Sequence, residues 1–309
     1  TIFHELRKPP PVALTINQRK DWPLTDLKRS PFAQSSAIHG LNSLELTRHA
    51  EQLLRRGCRL RDSDSTRANS EQGEWHLIAS RFVDLCSDMD ADLLIRLMRC
   101  LARANFRERQ VLQQLVNSVS VEGKTPSNVT CLSSALLAMQ DGIGKEDLRA
   151  IFRRLEDRAL EYDEEAWGLS APMMLANLVG AAASTGSQED SWSATRRLLV
   201  GAVAKNAARM GPMHLEISAF ACARLHRTCK DPAAAEQIVQ TAEALLKHGT
   251  DRSGRFLPRG LLNFFVALER ILGPAEVATL ALSVARRLQG CVPGDLQGCS
   301  AGDRYRSAL

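Results

Sequence analysis

From about residue 37 almost to its end, the chain alternates two kinds of segment, both with apolar positions at helical spacing. One kind is bland, rich in Leu, Ala and Ser. Its examples are "LLIRLMRCLARAN" (93–105), "NVTCLSSALLAMQDG" (128–142), "MMLANLVGAAASTG" (173–186), "ISAFACARLHRTC" (217–229) and "LLNFFVALERILG" (261–273). Each aligns on an alanine, Ala102, Ala138, Ala183, Ala223 and Ala267, in steps of 36, 45, 40 and 44 residues. The other kind follows after a short break and is charged and amphipathic, at 107–119, 146–161, 194–210, 232–249 and 274–290. In 146–161 the apolar residues Leu148, Ile151, Phe152, Leu155 and Leu160 fall close to one helical face. A looser pair is expected at 41–57 and 74–87, joined by the polar loop 59–73.

The breaks carry matching punctuation. Asp231-Pro232 and Gly273-Pro274 set Pro at or near the start of a following helix, and Gly142, Gly186, Gly249 and Gly290 sit where helices should end. The fold class expected is all-α, an α-solenoid of about five to six helix hairpins over residues 37–290. A closed bundle of unrelated helices is the other arrangement the uneven steps allow. In a solenoid the bland helices form an inner layer, covered by neighbouring repeats on both sides, where small residues let backbones approach.

Residues 1–36 break the pattern. They hold five prolines and six Lys or Arg against three acids, which predicts an extended basic arm ordered by its own domain or by a partner. Residues 291–309 form a C-terminal tail. The net charge of +5 lies at the two ends: residues 37–249 are close to neutral, whereas 250–309 hold eight basic and five acidic side chains. That is below the charge density of a dedicated nucleic-acid binder. The chain opens at Thr1, as would a mature protein relieved of a transit peptide or a shortened chain. No run of 18 apolar residues occurs, so no membrane span is expected.

The eight cysteines (Cys58, Cys86, Cys100, Cys131, Cys222, Cys229, Cys291 and Cys299) are irregularly spaced and lack a CxxC pair, the pattern of reduced thiols. Cys222, His226 and Cys229 share one helix face, but tetrahedral zinc needs a fourth ligand that the neighbourhood does not offer. Cys291 and Cys299 flank a Pro-Gly turn and read as free thiols. "DEE" (163–165) reads as a solvated turn, and "GIGKED" (142–147) lacks the spacing of a phosphate loop. The other histidines have no partner pattern, and no nucleophile elbow is present. These absences point to a protein without catalytic residues, metal, cofactor or small-molecule substrate.

Arginine remains, 32 against eight lysines. Arg96, Arg99, Arg103 and Arg107 step by three and four, as one stripe if their helix runs that far. Arg153, Arg154 and Arg158 form a second cluster, Arg196 and Arg197 a third, Arg286 and Arg287 a fourth. With Arg7, Lys8, Arg19 and Lys20 of the arm, Arg96, Arg99, Arg103, Arg107, Arg153, Arg154, Arg196 and Arg197 are the candidate RNA- or partner-binding residues. A continuous acid-free track of them would suit a phosphate backbone. Pairing with carboxylates would favour a protein scaffold.

"MMLANLVGAAASTG" and "CLSSALLAMQDG" resemble the first helix, "LAxLLxALAxLG", of the degenerate helical-repeat proteins of mitochondria and chloroplasts. These are the octotricopeptide-type, FAST-kinase-like and RAP-domain proteins, and the likeness extends over about residues 91–290. The resemblance implies work on organellar RNA. A C-terminal RAP domain is not evident, so an RNA-cleaving role is not implied. On this resemblance the expected function is a structural subunit of a large assembly in the mitochondrial matrix. The mitochondrial ribosome comes first, with contacts to rRNA backbone and neighbouring proteins. The alternative is an accessory scaffold of a respiratory complex or ATP synthase, bound through protein surfaces alone.

Overall fold

A computed structural model of the chain describes residues 38–57, 68–121, 124–186 and 192–289. The N-terminal arm, the C-terminal tail and the candidate residues Arg7, Lys8, Arg19 and Lys20 lie outside these residues. Among the described residues all regular elements are helical and no strand occurs. In chain order the helices are α1 (Ser43–Arg55), α2 (Ala68–Leu85), α3 (Ala91–Arg103), α4 (Arg109–Ser118), α5 (Pro126–Ala138), α6 (Lys145–Ala159), the single turn α7 (Glu164–Trp167), α8 (Ala171–Thr185), α9 (Ala194–Asn206), α10 (Pro212–Thr228), α11 (Pro232–Asp251), α12 (Pro258–Leu272) and α13 (Ala278–Gln289).

Local chemistry sets their ends. Asn42 caps α1 with a capping box, its Oδ1 accepting from the Leu44 and Glu45 amides while Glu45 accepts from the Asn42 amide. Thr125, Asp163, Ser193 and Asp231 cap α5, α7, α9 and α11 with their side chains. Proline opens α5, α10, α11 and α12, where its missing N–H costs nothing. Gly186 leaves α8 in the left-handed conformation, φ 70°, that closes a helix.

The helices touch in two rows. α1, α3, α5, α8, α10 and α12 contact one another in that order, and α2, α4, α6, α9, α11 and α13 in theirs. Helices of the two rows also pack on one another in sequence pairs: α1 on α2, α5 on α6, α8 on α9, α10 on α11 and α12 on α13. The bland segments supply α3, α5, α8, α10 and α12, and the charged segments supply the other row. This explains the composition. α8 is touched by α5 and α10 within its row and by α6 and α9 of the other, and ten of its fifteen residues are buried. Only a narrow stripe meets water, so charge has almost no place on it.

Four boundaries differ from the periodicity. α10 and α12 begin earlier than the first apolar repeat, at Pro212 and Pro258. α13 begins at Ala278, because residues 274–277 form turns and Pro274 lies before the helix. α2 starts at Ala68, inside the stretch expected as loop. Gly249 does not end a helix: α11 runs on to Asp251, and a Cβ at Gly249 would overlap the ring of Phe264. That glycine is a packing site between α11 and α12.

One polar knot sits in the core between α5 and α8. Asn177, fully buried, donates through Nδ2 to Ser133 Oγ at 2.6 Å, Ser134 Oγ at 2.8 Å and the Thr130 carbonyl at 3.2 Å. Both serine hydroxyls donate in turn to the Thr130 carbonyl. Nearby, a Cβ on Gly180 would stand 3.4 Å from Leu137, so the two helices approach closely.

The stretch Glu164–Thr185, which includes α7 and α8, has the length and composition to cross a membrane. It is the core helix just described, packed by four neighbours, and no clear membrane span follows from it.

Candidate functional site

The arginines were the candidates, and they go to three destinations. The first is carboxylates. Arg96 of α3 reaches Glu51 of α1, its Nε 2.9 Å from Oε1. Arg196, only 8% exposed, stands 3.5 Å from Glu156 of α6. Arg197 lies 4.0 Å from Asp231, with both ends solvated.

The second destination is backbone carbonyls at the ends of neighbouring helices. Arg154 of α6 donates to the Val119 carbonyl just past α4 at 2.8 Å. Arg158 donates to the Lys124 carbonyl at 3.3 Å, pairs with Glu161, and lies 5.0 Å over the Tyr162 ring. Arg107 reaches the Ala138 carbonyl that ends α5, and Arg149 the Thr185 carbonyl that ends α8. Arg252 donates to the carbonyls of Ala207 and Met210, at 3.4 and 2.7 Å, and to that of Ala208. Arg287 donates to Phe256 at 3.0 Å. The acceptors at Val119, Ala138, Thr185 and Ala207 lie at helix C-termini, where the last carbonyls carry partial negative charge and lack intrahelical partners, so a guanidinium from an adjoining hairpin satisfies both needs. The sequence separations, 31 to 45 residues, are close to the spacing between successive bland segments.

The third destination is the open stripe of the row that holds α3 and α10. Arg99 is half-buried beside Cys131 of α5, and burial lowers its pKa, with Arg103 adding repulsion. Arg103 is exposed at the end of α3. Arg224 of α10 lies 5.6 Å over the Phe220 ring, its pKa lowered by burial and by nearby Arg227. Arg153, on α6 of the other row, is also exposed. None of Arg99, Arg103, Arg153, Arg224 and Arg227 has a carboxylate within ion-pair distance among the described residues.

The expected four-residue stripe on α3 is therefore corrected. The helix stops at Arg103, the chain turns through Asn105 at φ 61°, and Arg107 points to a different partner. Asn105 in the left-handed region makes that turn, and Asn tolerates it better than most residues.

The remaining candidates have structural contacts. Cys222 is fully buried and its thiol is pushed up to about 12 by burial; Cys100 is pushed as high for the same reason. Both are therefore neutral and poor nucleophiles. Cys229 donates to the Asp231 carbonyl at 3.4 Å. Among the described residues no group of three His, Cys, Asp or Glu gathers to hold a metal ion. Asp163 caps α7, Glu164 pairs with Lys205 at 2.6 Å, and Gly144 precedes α6 as its N-cap.

A half-buried acid on α10 was not among the candidates. Glu216 accepts from Asn263 Nδ2 of α12 at 2.8 Å, and Arg259 contributes positive charge. Burial outweighs both and raises its pKa above the ordinary 4.5. A raised carboxyl binds its proton more tightly when folded, so its contribution is complete below pH 4.5 and is lost as pH rises through the folded value. Glu216→Gln, which keeps an acceptor for Asn263, is expected to melt higher than the wild type at neutral pH, the gap closing at acid pH. Melting curves across that range check it. A wild type that melts higher at neutral pH would mean Arg259 and Asn263 outweigh burial.

No protein-family model matches the chain, and none of the curated proteins compared with it matches significantly.

Proposed function

We propose that the chain is a non-catalytic α-solenoid subunit of a large mitochondrial assembly, a stack of helix hairpins that binds its neighbours through protein surfaces. One observation carries the reading: five of the eight candidate arginines among the described residues are engaged by the protein itself. Arg96, Arg196 and Arg197 meet carboxylates, and Arg107 and Arg154 meet carbonyls of adjoining hairpins. An acid-free basic track suited to a phosphate backbone needs these guanidiniums free. The row-by-row contacts support the solenoid over a closed bundle, since each helix touches the one before and the one after it in its row. The mitochondrial setting rests on the likeness of the bland helices to organellar helical-repeat proteins.

A second reading keeps the chain in the mitochondrial ribosome with some direct contact to rRNA. Arg103 and Arg153, exposed and without carboxylate partners among the described residues, favour it. Gradient sedimentation of the native assembly separates the two. The scaffold reading expects fast sedimentation that survives RNase; loss of the large species on RNase treatment supports the ribosome. Sedimentation as a free chain from gently lysed mitochondria overturns both.

A further inference from the structure

The open stripe of the row that holds α3, α5, α8 and α10 has a distinctive distribution of charge. One face of these helices carries partly exposed residues that include Asp92, Arg96, Arg99 and Arg103 on α3; Ser127, Asn128, Cys131 and Ala138 on α5; Met173, Ala176 and Ala183 on α8; and Glu216, Phe220, Ala223, Arg224 and Arg227 on α10. The other sides are covered by neighbours in the two rows, so the stripes share one side. The middle, on α5 and α8, is mostly apolar and carries no charge. Arg99 and Arg103 stand at one edge and Arg224 and Arg227 at the other, without ion-pair partners among the described residues. Carboxylates are few on this side. Asp92 lies at the start of α3, Glu51 of α1 is held by Arg96, and Glu216 is turned onto Asn263.

A guanidinium half-removed from water without a counter-charge is costly, and burial weakens the hold of Arg99 and Arg224 on their protons. Two such groups at opposite edges of a neutral floor ask for two separated anions with an apolar body between them. A nucleic-acid strand fits poorly: its charge is continuous, and the middle of this face offers it no cation. An amphipathic helix fits. Small floor residues admit its backbone closely, and its apolar stripe covers Met173 and Ala176.

We propose that this face is the docking site for an amphipathic helix of a partner subunit that carries acidic residues near both ends and an apolar stripe between them. It rests on the reading of the chain as a protein scaffold and names the chemistry of one of its partners. Three interhelical steps of roughly 9 Å separate α3 from α10. A helix rising 1.5 Å per residue covers that span in about 18 residues, which sets the spacing of its acids.

Three synthetic helical peptides with one shared apolar stripe test this by fluorescence anisotropy on the full chain. The first carries Glu pairs about 18 residues apart, the second Lys pairs at the same places, the third Glu pairs at half the spacing. The first should bind roughly tenfold tighter than either other. The double variant Arg99→Glu, Arg224→Glu should invert the preference between the first two. The exposed pair Arg103→Glu, Arg227→Glu should shift it the same way by a smaller factor, which covers failure of the half-buried pair to fold. Equal affinities, no binding of the first peptide, or tighter binding of a mixed-sequence single-stranded RNA overturns the proposal. A chain that ignores the peptides yet sediments in an RNase-resistant assembly refutes this docking site while leaving the scaffold reading intact.

Discussion

Phe264→Ala should cost about 3–5 kcal/mol of folding stability, the range for emptying a buried aromatic site. Phe264 is completely buried on α12, its ring 5.2 Å from that of Phe256 and tilted 33° to it. It occupies the place that Gly249 of α11 leaves by lacking a side chain. Deleting the ring opens a cavity between α12 and α11 beside Phe256. Urea denaturation followed by circular dichroism measures the loss. The same contact makes a second statement. Alanine is the better helix former by about 1 kcal/mol, yet Gly249→Ala should destabilise the chain by about 1–3 kcal/mol through overpacking. Combined with Phe264→Leu, the alanine should cost less than it does alone, because the smaller side chain removes the overlap. A stabilising Gly249→Ala in the wild-type background would contradict this account of the contact.

Arg252→Met should cost about 1.5–3 kcal/mol. Its guanidinium gathers three carbonyls, of Ala207, Ala208 and Met210, where α9 ends and the chain turns towards α10. Methionine keeps much of the stem's packing and removes every donor, so the loss isolates the hydrogen bonds. Arg252→Lys should recover only part of it, since an ammonium lacks the planar fork that meets several acceptors at once. Salt should change the effect little, because the acceptors are carbonyls rather than exposed carboxylates. A strong salt dependence would assign the stabilisation to long-range charge instead.

The helices were legible and the destinations of the arginines were not, for one physical reason. A helix announces itself locally. The uncharged run from Val129 to Leu137 and the run through α8 read as buried, and most of each is. The boundaries at Pro212 and Pro258 were written there too, but a reading that waits for the first apolar repeat starts one turn late. Arginine on a charged helix carries no such local sign. Arg154 and Arg153 are adjacent and both exposed, yet one reaches the Val119 carbonyl of a neighbouring hairpin and the other has no carboxylate within ion-pair distance among the described residues. What separates them is a carbonyl about 35 residues away whose position depends on how hairpins stack. The same holds for Asn177, a lone amide in a run of Ala and Leu whose partners lie more than 40 residues earlier.

That lone amide has a consequence for uniqueness. Surfaces made of Ala, Leu and Ser can nest at several offsets of nearly equal energy, since one smooth groove resembles the next. Only one offset brings Asn177 opposite Ser133, Ser134 and the Thr130 carbonyl; any slip along the axis would strand the buried Asn177 Nδ2 in oil. The amide thus acts as a key in a lock whose remaining walls are featureless.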